Sequence, residues 1–137
     1  MTPPECRSNC PLAFALDLFG DRWSLLVLRD LVFVGKRRFS EFAASPEGIA
    51  TNVLSDRLKR LEEAGLIRRE PDPDDGRRFL YSLTEAGFGL TPALCELILW
   101  GLDRQPPGTP GPPAHLVEAL RNDRDGAIAA LRQKHFG

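Results

Sequence analysis

Asn52, Ser55, Asp56 and Lys59 recur at three- and four-residue intervals within residues 51–64. On a helix this spacing gathers them on one face, opposite Leu54, Leu58 and Leu61. Their chemistry is hydrogen bonding, not bond breaking. An Asn amide can hold adenine by two bonds, and a Lys ammonium can reach guanine acceptors or a phosphate. Thr51, the expected cap, can offer a phosphate the first free backbone N–H groups. Arg60 flanks this face. Arg57 lies nearer the apolar stripe, as a phosphate clamp or an internal ion pair. The plain alternative for the whole set is a solvated helix face. Arg77 and Arg78 can enter a minor groove or hold phosphates, or they can pair with Asp72, Asp74 and Asp75. Lys36, Arg37 and Arg38 precede another helix start and can touch the flanking backbone, or form an ordinary solvated turn.

The elements that position these residues follow from pattern. An apolar run from Pro11 to Phe19 reads as a first helix, with Pro tolerated at its first position. Its apolar residues cover most of the surface, which predicts heavy burial. Gly20 stops it, and Asp21 caps a second helix that is apolar nearly all round and ends at Gly35. Residues 40–44 form a short helix with Ser40 as cap, and 45–50 form a turn punctuated by Pro46 and Gly48. The helix at 51–64 closes at Gly65. Strands at 66–70 and 79–83 flank a charged loop, 71–78, tipped by Gly76. Thr84 caps a helix running to Gly101. Helix, turn, helix and two strands in this order predict a mainly α fold with a small β-wing, a winged helix-turn-helix, which usually places one helix in the major groove of DNA.

Five of the twelve prolines fall in residues 105–113, which reads as a linker. Two short helical patterns follow it. The expected division is an N-terminal arm at 1–9, a DNA-binding domain at 10–103, a linker at 104–113 and a helical tail at 114–137. The tail's small apolar stripe predicts docking on its own subunit or on a partner.

Composition bounds the function. At 42% hydrophobic and 27% charged residues the chain suits a soluble globular protein. Its net charge of -1 excludes a basic protein that coats DNA. Residues 36–78 hold ten basic and nine acidic side chains, so placement outweighs the total. No apolar run reaches the roughly 18 residues of a membrane span, and residues 1–7 lack the apolar core of a secretory signal. A cytoplasmic location is expected. Three cysteines, Cys6, Cys10 and Cys95, argue against a disulfide scaffold. Cys6 and Cys10 lack a second ligand pair, and His115 and His135 lie far away in the tail, so no metal or cofactor is expected. The sequence holds no Ser/His/Asp or Cys/His arrangement, no phosphate-cradling glycine loop and no spaced carboxylate pair, so it does not read as an enzyme.

Five segments in order resemble the HxlR-type family of bacterial winged-helix regulators, a branch related to MarR. They are Cys10-Pro11, then 20–31 (GDRWSLLVLRDL), 38–42 (RFSEF), 52–66 (NVLSDRLKRLEEAGL) and 81–87 (YSLTEAG). The resemblance covers roughly residues 10–101. It implies a homodimer, binding to double-stranded DNA at a palindromic operator, and control of transcription, most often repression. It also implies that the first helix and the 94–100 helix build the dimer interface. The long tail and the aspartate-rich wing depart from the pattern. In several oxidant- or electrophile-sensing members a cysteine at the position of Cys10 is the reactive thiol. Helix N-terminal N–H groups and the dipole would stabilise its thiolate. Arg7 would add to this, with Cys6 as a strained resolving partner. The alternative is an unreactive, partly buried thiol. Cys95 reads as core. Trp23 and Trp100 read as packing residues, and with Phe14 and Phe39 they are candidates to line a pocket for a small-molecule effector. The competing reading of the fold is a winged helix used only for contact with proteins.

Overall fold

Leu54, Leu58 and Leu61 are buried to within a few per cent, and the helices of the N-terminal half are arranged around them. The computed structural model describes residues 8–137. It falls into two compact units, one ending at Phe88 and one from Gly89 to Gly137. Mostly helical, with one two-stranded antiparallel sheet, it has the winged helix-turn-helix architecture the pattern predicts.

In the first unit, α1 spans Pro11–Phe19 and α2 spans Ser24–Arg29. Asp21 makes the junction. Its Oδ1 accepts the N–H groups of Trp23 (2.9 Å) and Ser24 (3.0 Å), satisfying donors that a helix start otherwise leaves free. A π-helical turn at Asp30–Val34 continues α2, and Gly35 ends it in the left-handed conformation at φ +80°. Val27, Leu28, Leu31 and Val32 are buried, as expected of a central helix. By contrast α1 has no fully buried residue. Leu12 and Leu16 are 65% and 51% exposed. Phe14, Leu18 and Phe19 are half-buried, so only the Leu12/Leu16 row fails to serve the core of its own unit.

Two expected caps move by one or two positions. Helix α3 is Phe39–Ala43, so Ser40 lies inside its first turn. The Glu41 side chain reaches back instead and accepts the N–H groups of Arg37 (3.1 Å) and Arg38 (2.9 Å). Helix α4 is Thr51–Glu63 with Ala50 at its cap position, so Thr51 is the first helical residue. Gly65, at φ +77°, reverses the chain as expected.

The wing is longer and tighter than the sequence suggests. Strands β1 (Ile67–Asp72) and β2 (Asp75–Leu83) pair with Ile67 opposite Leu83, Arg69 opposite Tyr81 and Pro71 opposite Phe79. The connection shrinks to Pro73-Asp74, and Gly76 lies within β2. The Asp72 carboxylate accepts the Asp74 N–H at 2.9 Å and closes the turn. Residues 37–38 add a fragment of a third strand: Tyr81 N–H donates to the Arg37 carbonyl (2.8 Å), and Arg38 bridges to Leu80.

The helix expected from Thr84 to Gly101 is broken. Thr84 caps α5, Glu85–Phe88, by accepting the Gly87 N–H at 3.1 Å. A new helix, α6, begins at Thr91 and runs to Leu102. Pro92 accounts for the break, because it has no N–H and its ring would strike the carbonyl four residues back.

In the second unit, α7 (Ala114–Asn122) and α8 (Arg124–Phe136) pack with α6. Residues 103–113 between α6 and α7 form no regular element. Arg121 pairs with Asp103 at 2.7 Å, and Arg124 pairs with Glu96. Leu120 and Cys95 are buried, and burial pushes the Cys95 thiol up. Trp100 and Leu97 are 61% and 55% exposed. Trp100 is thus not a packing residue of its own unit; Arg104 stacks on its ring at 4.1 Å. No helix among the described residues is long and apolar enough to cross a membrane.

Candidate nucleic-acid interface

The exposed side of α4 presents Asn52, Ser55 and Lys59 to solvent. Among the described residues these three side chains have no hydrogen-bond or ion-pair partner in the protein. Thr51 is exposed beside them, and no side chain caps the first N–H groups of the helix. The buried leucine stripe behind this face fixes its direction.

The other cations marked in the sequence, Lys36, Arg37, Arg38, Arg57, Arg60, Arg77 and Arg78, are all engaged. Arg57 is turned inward. Its Nε donates to Asp21 Oδ1 at 2.9 Å, and its Nη1 pairs with Asp56. Asp56 also receives Arg60 Nε at 3.0 Å, one helical turn on. Of the two uses weighed for Arg57, the internal ion pair is the one formed. Partial burial raises the pKa of Asp21, but hydrogen bonds from the Ser24 hydroxyl, the Trp23 N–H and Arg57 outweigh it and bring it to about 2.

Lys36 is also drawn in. Its Nζ donates to Ser45 Oγ at 2.7 Å and stands 3.4 Å from Asp30 Oδ2, and Ser45 Oγ donates to the same oxygen at 2.6 Å. Arg29 completes this network. It pairs with Asp30 at 2.9 Å and with Glu47 at 2.8 Å, tying α2 to the turn before α4. Arg38 Nε donates to Asp72, whose side chain is 2% exposed, and its other end lies 3.4 Å from Asp74. The guanidinium holds the Asp72 carboxyl below the usual carboxylate range. Arg38 therefore latches the wing to the start of α3.

Arg77 and Arg78 project from β2. Both meet Asp75, at 3.2 Å and 3.4 Å, so the pairing weighed for them exists. Arg77 is nevertheless 92% exposed, and such pairs are worth little in water. The Arg77 contact lowers the Asp75 pKa.

Sequence reasoning missed Arg69. A groove between α4 and the wing is lined by Ser55, Lys59, Glu62, Arg69 and Tyr81. Arg69 lies over the Phe79 ring at 4.2 Å and reaches Glu62 at 3.5 Å. Only the strand register, which puts Arg69 opposite Tyr81, brings it beside Lys59.

Cys10 is exposed and free. It occupies the cap position of α1 with extended backbone, and its N–H donates to Ser8 Oγ at 3.2 Å. Cys6 and Arg7, assigned to support it, lie outside the described residues. Of the four aromatics suggested for an effector pocket, Trp23 lines a small recess with Val27, Phe42 and Ile49; Phe14 and Phe39 are half-buried.

Residues 18–108 match the model of the HxlR-like helix-turn-helix family. An HTH-type transcriptional regulator of Mycobacterium bovis is 46% identical over 102 residues, covering 74% of this chain. The chain spans 63% of the length of that relative. Among solved structures, the redox regulator HypR in its oxidized form is 32% identical with a TM-score of 0.63, covering 71% of this chain and 99% of that one. The reduced transcriptional regulator YodB of Bacillus subtilis is 30% identical with a TM-score of 0.57, covering 74% and 100%.

Proposed function

The chain belongs to the HxlR-like helix-turn-helix family of transcriptional regulators, and we propose that it acts as a homodimer that binds a palindromic DNA operator and represses transcription there. The observation that carries this reading is the row of exposed, unpartnered Asn52, Ser55 and Lys59 on α4, backed by a rigid leucine stripe. Polar groups held ready on the outside of a packed helix can be aligned with base edges without breaking an existing bond. Thr51 and the free N–H groups of the first turn would take a phosphate. Arg60, Arg77 and Arg78 would exchange part-exposed carboxylates for phosphates, and Lys36 and Arg38 would position the approach. Two exposed apolar rows, Leu12/Leu16 on α1 and Leu97/Trp100 on α6, supply surface for a second copy. Such a dimer would set its two α4 helices roughly 34 Å apart, one turn of DNA.

Cys10 is the proposed point of redox control. It is exposed at the cap of α1, and similarity to a redox regulator favours this role. Two thiols, one of them Cys10, would give two protons and two electrons to an oxidant such as diamide and join in a disulfide.

The test selects duplexes from a random pool with the reduced protein and titrates the winners by mobility shift. Asn52→Ala and Lys59→Ala should each lose about 5- to 150-fold, the equivalent of about 1–3 kcal/mol, and relax one base position. Diamide should release the wild-type complex and leave Cys10→Ser bound. Equal affinity of both alanine variants for the selected duplex would overturn the assignment of α4.

A further inference from the structure

We propose that Arg57 is a positioning residue rather than a DNA contact, and that the Asp21–Arg57 pair is the link by which the end of α1 sets the presentation of α4. This rests on α4 reading DNA, as proposed above.

The geometry runs without a gap from one helix to the other. Helix α1 ends in a closed turn: the Gly20 N–H donates to the Leu16 carbonyl at 2.7 Å, and a Cβ on Gly20 would stand 2.4 Å from that oxygen. Leu16 is itself one of the exposed apolar residues offered to a partner. Asp21 follows at once. Its carboxylate is immobilised from three sides before Arg57 reaches it: Oδ1 holds the N–H groups of Trp23 and Ser24, and Oδ2 accepts the Ser24 hydroxyl at 2.5 Å. Arg57 Nε binds the same Oδ1. The far end of its guanidinium meets Asp56, which meets Arg60 on the flank of the base-reading row.

Two features separate this from a surface ion pair. The Arg57 side chain is only 20% exposed, and its acceptor is fixed by the start of α2. A displacement of the α1 end therefore moves the acceptor of Arg57. Arg57 stands in the second turn of α4, between Asn52 and Lys59, so rotation of the helix at this point turns both reading groups together. Binding of a partner or chemistry at the other end of α1 would be felt at α4 by this route.

The two roles available to Arg57 make opposite forecasts for Asp21→Asn. This variant keeps an oxygen for the cap and removes the charge. If Arg57 held a phosphate, removing a nearby negative charge would leave DNA affinity unchanged or raise it. Arg57→Ala would then flatten the dependence of log K on log salt by about 0.9 per protomer. If the pair positions α4, Asp21→Asn and Arg57→Ala each lower the preference for the selected duplex over a scrambled one, roughly tenfold. The double variant is then no worse than the poorer single, and the salt slope stays at the wild-type value. This preference is a ratio of two affinities measured on one sample, so partial unfolding does not change it.

The experiment measures both affinities at four salt concentrations for wild type, the two single variants and the double variant. Loss of preference with non-additivity and an unchanged slope supports the proposal. A wild-type preference in Asp21→Asn, or a flattened slope in Arg57→Ala, overturns it and leaves DNA reading by α4 intact. A wild-type protein that prefers no duplex overturns the reading of α4 first and this proposal with it.

Discussion

Replacing Gly87 by alanine tests how closely the base of the wing is tied to α5. The Gly87 N–H is held by Thr84 Oγ1, which in turn donates to the Gly65 carbonyl at 2.6 Å. A Cβ at Gly87 would stand 1.9 Å from the Leu66 carbonyl oxygen and 2.9 Å from its carbon. Both are backbone atoms, so no rotamer change relieves the overlap. Ordinary contact begins at 3.4 Å, so one segment must retreat by about 1.5 Å. The retreat also stretches the 3.2 Å bond from the Thr84 N–H to the same Leu66 oxygen. Overpacking of this kind costs about 1–3 kcal/mol, and the lost hydrogen bond adds about 1 kcal/mol. The better helix propensity of alanine returns about 1 kcal/mol at most. Gly87→Ala should therefore lose about 1–3 kcal/mol in urea unfolding, or roughly 5–10 °C in melting temperature. Gly76→Ala is the matched control. Nothing lies within 4 Å of a Cβ there and its φ is not positive, so it should stay within about 0.5 kcal/mol of wild type. If Gly87→Ala unfolds together with that control, the approach of Leu66 to α5 is not as close as described.

Two further perturbations probe the helix junction and the apolar face of α1. Asp21 has a pKa of about 2 in the folded protein against an ordinary 3.8, so its charge stabilises the fold above about pH 4, and that contribution is lost as pH falls toward 2. Asp21→Asn should therefore remove about 1–2 kcal/mol of acid sensitivity in this window, after allowance for solvent screening. Acid titrations that fall in parallel for both proteins would contradict it. If the proposed dimer uses this face, Leu12→Glu with Leu16→Glu should give a monomer in sedimentation velocity while leaving the circular dichroism spectrum unchanged, because neither side chain is buried in its own unit. An unchanged mass would remove α1 from the interface.

Sequence pattern alone carried the order of elements as far as Thr84, and the reason is physical. The apolar stripe of α4, the carboxylate at Asp21 and the reversal at Gly65 are local signals, each decided within a turn or two of chain. The failures fall where a decision depends on residues far away. Asp75–Arg78 read as loop because of their charge, yet they are strand because Asp72 closes a tight turn and takes the Arg38 guanidinium from 34 positions upstream. Ser40 looked like a cap, but Glu41 performs that task with a longer side chain. The break before α6 was visible in Pro92 and outweighed by the apolar periodicity around it. The burial of α1 was misjudged for a different reason. Periodicity reports that a helix face avoids water, not whether its cover comes from its own chain. The Asn52, Ser55 and Lys59 face was legible from spacing. The commitment of Lys36 and Arg38 to Asp30 and Asp72 was not, and for Arg57 spacing alone left the internal pair level with a phosphate clamp, because Asp21 lies 36 positions upstream.

The pairing of the cations bears on how a chain of net charge -1 addresses a polyanion. Those marked in the sequence divide into two kinds. Lys36, Arg38 and Arg57 meet carboxylates that are buried or fixed by backbone N–H groups, at Asp30, Asp72 and Asp21. Drawing such a cation away would strand its partner, a change that costs far more than an exposed pair returns. Arg60, Arg77 and Arg78 meet exposed or half-exposed carboxylates and can change partners at little cost. Even these bring a penalty, because Asp75 would then stand unpaired beside phosphates and Asp56 would be left to Arg57 alone. Attraction to an arbitrary duplex is thereby weakened at source. On the proposed reading of α4, what is left is the contribution of Asn52, Ser55 and Lys59, which would depend on the bases in front of them. A surface that neutralises its own arginines raises the ratio of specific to non-specific binding by lowering the second quantity, and that ratio decides where a regulator resides on a genome.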